Sequence, residues 1–195
     1  MSIIYLGGIN GSGKTSIVQK INERLPNLHI VHGSKELMKR LNISVNDYDT
    51  LRSIPEKVKE EAVTELLHDL ESKNKCQTII VVAHYAKVVR GEITSSFGPW
   101  YGHCDKLVLI TGSSREILDR ITIDQASGRR TERNLFGCLH KTREQIKFLQ
   151  EAQRVSMQVM EQAAKEFRIP CFALVNLKGK MDLAVEQLTS IIEEG

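Results

Sequence analysis

Short runs rich in Ile, Val and Leu alternate along this chain with longer segments in which apolar residues recur at helical spacing. The short runs are Ile3–Leu6, His29–His32, Thr78–Ala83, Leu107–Thr111 and Phe172–Val175, each bounded by Gly, Pro, Asn or charged residues. That pattern predicts strands. Continuous runs such as Ile79-Ile80-Val81-Val82 suit a parallel sheet buried on both faces. Helical periodicity fills the gaps. Ser16 to Leu25 is amphipathic. Ser53, with Pro55 in the first turn and Glu56 three positions on, reads as a capping box opening a helix striped by Val58, Ala62, Leu66 and Leu70. Thr142 to Phe167 carries Ile146, Leu149, Ala152, Met160 and Ala163 on one side, and Asp182 to Glu193 buries Leu188, Ile191 and Ile192. Five short strands joined by helical crossovers predict a three-layer α/β domain, with a five-stranded, mostly parallel sheet and helices on both faces. Two polar stretches break the alternation, Asn42–Arg52 and Ala126–Gly137. Loops of that length in a compact domain are usually functional, and here they read as covers over a ligand.

Composition narrows the class without naming a chemistry. The chain has 195 residues, enough for one domain with a sizeable core. Apolar content of 41% and charged content of 26% are ordinary for a soluble protein. A net charge of +3 is too weak to argue for nucleic acid, and the aromatics are few, so no nucleic-acid partner is expected. The apolar stretches are strand-sized, so neither a membrane span nor a signal peptide is expected; Ile3 follows the initiator with no basic leader. Cys76, Cys104, Cys138 and Cys171 stand far apart with no close ligand pair, which favours free thiols and a cytoplasmic location. The cluster Phe97-Gly98-Pro99-Trp100-Tyr101 holds much of the aromatic content, and packing is its expected role.

The chemistry begins at Gly8-Ile9-Asn10-Gly11-Ser12-Gly13-Lys14-Thr15, which fits G-x-x-x-x-G-K-[ST] between a predicted strand and a predicted helix. Glycines let backbone N–H groups curl around a phosphate, and the helix N-terminus adds partial positive charge. Lys14 can reach the β- and γ-phosphates, and the Thr15 hydroxyl can hold Mg²⁺. The expected nucleotide-binding set is Gly8, Asn10, Gly11, Ser12, Gly13, Lys14, Thr15 and Ser16. Arginines follow: Arg120, then Arg129, Arg130 and Arg133 in one polar segment, then Arg154. Phosphoryl transfer is mostly positioning and cation supply, and guanidiniums grip phosphate with two hydrogen bonds.

Over essentially its whole length the chain resembles the archaeal-type adenylate kinases, P-loop nucleoside monophosphate kinases. Besides the phosphate loop, the likeness rests on Leu51-Arg52-Ser53-Ile54-Pro55, the His84 loop closing Thr78–His84, Ile117-Leu118-Asp119-Arg120, Gln150-Glu151-Ala152-Gln153-Arg154 and Val175-Asn176-Leu177-Lys178-Gly179. The resemblance implies a single P-loop kinase domain over 1–195, with a monophosphate-binding lobe at 33–75 and a lid at 124–140. It implies an enzyme that moves the γ-phosphoryl group of Mg·ATP to AMP, giving two ADP. Arg120 would lie against the adenine of ATP, and the turn from Asn176 to Gly179, with Lys178, would meet the base through backbone. Arg129, with Arg130 or Arg133, would come from the lid, and Arg154 would bridge the transferring group. Arg52 would meet the AMP phosphate, and the chain from His84 to Arg90 would line the AMP side. Relatives are commonly trimeric, which implies a homo-oligomer. Two departures stand out: Val82-Ala83 where the family carries an acidic residue that helps order Mg²⁺, and Ile123 or Asp124 in place of a family arginine. They keep open a different acceptor, whether another monophosphate or a small hydroxylated metabolite, and a regulatory nucleotide-binding ATPase.

Overall fold

The computed structural model describes residues 2–73, 77–127 and 134–194. Arg129, Arg130, Arg133 and Cys76 lie outside the described residues.

Five strands form one fully parallel sheet. They are β1 (Ile3–Gly7), β2 (His29–His32), β3 (Ile79–Val82), β6 (Lys106–Thr111) and β7 (Cys171–Val175), in spatial order β2-β3-β1-β6-β7. Central β1 is buried at every residue, with Tyr5 paired to Val81 of β3 and to Leu107 of β6. This is why its sequence is a continuous apolar run rather than an alternating one. Helices cover both faces. On one, α1 (Lys14–Arg24) and α7 (Met181–Glu193) bury Ile17, Ile21, Val185 and Leu188 against Ile4, Leu6, Val108 and Ile110. On the other, α4 (Glu56–Lys73), α6 (Thr142–Phe167) and a 3₁₀ turn (Pro99–His103) pack Leu67, Val159, Met160 and Tyr101 against Tyr5, Val81 and Leu109. The last helix of the set, α5 (Ser114–Ala126), packs Ile117, Leu118 and Ile121 beside Leu149 and Ala152 of α6. The aromatic cluster is core: Tyr101 is fully buried, its ring 4.9 Å from that of Tyr5 and 5.8 Å from that of Tyr85.

The structure differs from the periodicity in four places. Ser53 caps nothing; it ends a short helix, α3 (Tyr48–Ser53), and its hydroxyl donates back to the Thr50 carbonyl. Helix α4 starts only at Glu56, its first bond running from the Lys59 N–H to the Pro55 carbonyl. Val58 is exposed, because the buried stripe of α4 is carried by Ala62, Leu66 and Leu67. The stretch Asn42–Arg52 is not all loop: Asp47 caps α3 by accepting from the Thr50 N–H, and Asn42 and Asn46 take left-handed turns that asparagine tolerates. Three more elements carried no readable period. Helix α2 (Gly33–Arg40) buries only Leu37 and Met38, and β4 (Ala86–Val89) with β5 (Glu92–Ser95) forms a separate antiparallel hairpin. Among the described residues no helix is long and apolar enough to cross a membrane, and Cys104, Cys138 and Cys171 carry free thiols.

Candidate active site

Strand β1 runs into the phosphate loop at the carboxyl edge of the sheet, where parallel α/β folds bind ligands. Gly13 stands at the N-cap of α1 in the left-handed region, and a Cβ there would lie 2.2 Å from Asn176 Nδ2. Only glycine fits both demands. The Asn176 amide, buried at the end of β7, donates to the Ser12 carbonyl at 2.8 Å. Lys14 folds back over the loop, donating to the carbonyls of Gly8 at 2.6 Å and Ile9 at 3.0 Å. Ser12 Oγ is buried without a hydrogen-bond partner among the described residues. A free hydroxyl, a lysine held by loop carbonyls and the first-turn N–H groups of α1 make a cradle that fits a triphosphate.

Arg120 on α5 borders the loop. Its guanidinium donates to the Gly11 carbonyl at 3.4 Å and to the Asn176 carbonyl at 3.2 Å. Glu116, one turn earlier, contacts Arg120 and accepts from the Lys178 N–H at 2.8 Å. The turn after β7 is thereby tied to α5. Gln153 of α6 fastens the adjacent β6–α5 turn, accepting from the Gly112 N–H and donating to Ser114 Oγ.

A cleft of about 840 Å³ opens from this cradle toward α2, α3 and α4. Of the residues expected at the site, Asn10, Gly11, Gly13, Lys14, Thr15, Ser16, Arg120, Arg52 and His84 all stand on its wall. His84 is set by the tyrosines beneath it: the Tyr5 hydroxyl donates to the His84 carbonyl at 3.1 Å. Gly7 leaves room for the neighbouring Tyr85, whose ring would sit 2.2 Å from any Cβ there. Arg52 is ion-paired with Asp49 at 2.5 Å. Gly8 and Ser12 belong to the loop but lie behind the wall. Lys178 and Gly179 sit in the β7–α7 turn, off the wall. Arg90 occupies the left-handed turn of the hairpin, its N–H donating to the Asn134 carbonyl at 2.7 Å. Arg154 projects from α6 outside the cleft, paired with Glu151 at 2.5 Å and half-exposed. That pairing holds the Glu151 carboxyl below its ordinary range.

Three wall groups went unread in the sequence. Lys59 on α4, almost wholly buried, donates to Glu56 Oε1 at 2.8 Å. Lys87 on β4 reaches the same carboxylate at 3.0 Å. Burial works against the Glu56 charge, but the hydrogen bonds from Lys59 and Lys87 outweigh it and hold the carboxyl below its usual value. His32, at the end of β2, faces the cleft, and burial followed by the charge of Lys35 pushes its pKa down, favouring neutral imidazole. The i, i+3 spacing of Glu56 and Lys59 was the one legible hint.

No His, Cys, Asp and Glu group able to hold a metal exists among the described residues. Thr15, exposed on the wall in the first turn of α1, carries a hydroxyl that could help hold a Mg²⁺ carried by a nucleotide. Val82 and Ala83 present an apolar edge where the resemblance calls for an acid.

The AAA domain family matches residues 7–135, more than half of the chain. No curated protein matches the sequence. Solved structures share the fold. Shikimate kinase from Bacteroides thetaiotaomicron superposes with a TM-score of 0.62 at 14% identity, covering 98% of both chains. Shikimate kinase from Acinetobacter baumannii, in complex with shikimate, gives 0.59 at 15% identity, covering 100% of this chain and 94% of that one. A sugar kinase from Janibacter gives 0.56 at 13% identity, covering 99% and 95%. The fold is thus that of P-loop kinases.

Proposed function

The chain belongs to the AAA domain family, and from that premise we propose that it is a Mg·ATP-dependent phosphotransferase whose acceptor is a nucleoside monophosphate, with AMP giving two ADP. One observation carries the reading: the phosphate cradle, Arg52 and His84 all line the same cleft. In-line transfer between two ligands held this way needs no protein nucleophile. Lys14 would leave its loop carbonyls for the β- and γ-phosphates, and Arg120 would flank the nucleotide. Mg²⁺, held by Thr15 with phosphate oxygens and waters, would neutralise charge on the transferring group. Arg52 would exchange Asp49 for the acceptor phosphate. ADP formation from Mg·ATP, with and without AMP and then with each other monophosphate, tests the reading. Strong AMP dependence supports it; ATP binding with no transfer to any acceptor would make the protein a nucleotide-binding ATPase or switch instead.

A second reading rests on His32. A neutral imidazole at the end of β2 is suited to take a proton from an attacking hydroxyl. That chemistry belongs to a small hydroxylated acceptor, the class held by the shikimate-bound kinase of the same fold. Adding shikimate and simple sugars to the panel separates the two readings, because AMP would then be a poor acceptor.

A further inference from the structure

The acceptor end of the cleft holds three charged side chains in an unequal arrangement. Lys59 has a side chain only 10% exposed, Lys87 is 41% exposed, and the Glu56 carboxylate that both contact is 58% exposed. A nearly buried ammonium needs an anionic partner, because an unpaired buried charge is strongly destabilising. A mostly exposed carboxylate is free to exchange that partnership for water at little cost. The two lysines come from different elements, α4 and β4, and converge on the cleft that already carries Arg52 and His84. Lys35 and Glu60 also line the cleft.

We propose that Glu56 is an internal stand-in for the acceptor's anion, and that Lys59 and Lys87 form a specificity site for a phosphomonoester that displaces it. On binding, a phosphate dianion takes the place of the carboxylate between the two ammonium groups, and Glu56 turns to solvent. Trp100 lines the same cleft, with its indole Nε1 buried and without a hydrogen-bond partner among the described residues. The chemistry recognised is the monoester phosphate, whether carried by a nucleoside or by a sugar. This deepens the phosphotransferase reading and rests on it for the second ligand, although the anion site is testable without turnover.

Glu56 gives the proposal an unusual sign. If the triad were only structural, neutralising Glu56 would loosen the wall and weaken every acceptor. As a stand-in, it competes with the acceptor, so Glu56→Gln should tighten binding while its amide oxygen still accepts from one lysine. The experiment is calorimetric titration of AMP, ribose 5-phosphate and adenosine into wild type, Glu56→Gln, Lys59→Met and Lys87→Met, with Mg·ATP titrated as the control for folding. The expected result is binding of the phosphorylated probes severalfold tighter in Glu56→Gln and at least roughly tenfold weaker in each lysine variant, with ATP affinity unchanged. Equal response of AMP and ribose 5-phosphate would place recognition in the phosphate alone; a response confined to AMP would add the nucleoside. The proposal is overturned if Glu56→Gln weakens the monophosphates, if the lysine variants that still bind ATP bind monophosphates as wild type does, or if wild type binds none. Lysine-dependent monophosphate binding without phosphoryl transfer would sink the phosphotransferase reading and leave the anion site standing. Transfer to an uncharged hydroxyl compound alone would do the reverse.

Discussion

The Asn176 side-chain amide donates to the Ser12 carbonyl at 2.8 Å, a buried bond between residues 164 positions apart that joins the end of β7 to the phosphate loop. The same side chain fills the space above Gly13, and the Asn176 carbonyl receives the Arg120 guanidinium. One residue therefore shapes the loop from behind and orients a cation beside it. Truncating Asn176 to Ala leaves the buried Ser12 carbonyl without that partner, which costs about 1 to 3 kcal/mol. Asn176→Ala is expected to lower unfolding free energy by this amount in a denaturant titration and to weaken ATP. Unchanged ATP affinity in a destabilised variant would limit Asn176 to a structural role.

The Lys14 ammonium donates to two loop carbonyls, those of Gly8 and Ile9. In the proposed transfer it would move that charge onto phosphate. Lys14→Ala should reduce phosphoryl transfer by on the order of 100-fold, the scale of losing one preorganised donor. Steady-state rates against ATP concentration check this, and retained transfer would remove Lys14 from the chemistry.

Arg120 and Arg154 separate by position. Arg120 touches the loop, whereas Arg154 is bound to Glu151 away from the cleft wall. An exposed pair contributes little, so Arg154→Ala should shift ATP affinity by no more than about twofold. Arg120→Ala should weaken ATP by roughly tenfold, the loss of one charge-assisted contact. A fall in kcat alone for Arg154→Ala would show that the arginine reaches the transferring group once both substrates are bound; weakened ATP binding would contradict its observed position.

His32 sets a pH dependence. Its folded pKa lies below the ordinary 6.5, first through burial and then through Lys35. A depressed folded pKa means the folded state favours the neutral ring, so its stabilising effect is complete above 6.5 and is lost as pH falls through the lower folded value. Denaturant unfolding at pH 7.5 and 5.5 should show wild type losing more stability at the acid end than His32→Gln. Parallel losses in the two proteins would remove His32 as the cause.

Much of the fold was legible because its signals are local. Ile79 to Val82 is apolar throughout since both faces of β3 are covered, and no distant information is needed to see it. The periodicity from Thr142 marks α6 for the same reason: one face packs and the other does not. Ser53 misled because a capping pattern of two residues also fits the end of a preceding short helix. Helix α2 and the β4–β5 hairpin stayed hidden, being short and packed on few residues.

By itself the sequence determined the parallel α/β architecture and the phosphate loop, since buried strands and an eight-residue backbone cradle are each written in contiguous residues. Tertiary structure alone decided which side chains share the cleft with the phosphate loop. Lys59, Lys87, His32 and Trp100 come from four separate elements, and which side chains share a cleft depends on how those elements pack. It also decided that Arg154 pairs with Glu151, and that an exposed carboxylate stands where two lysines converge. Charge can be counted along a chain, but its partner, burial and direction exist only after the chain has folded.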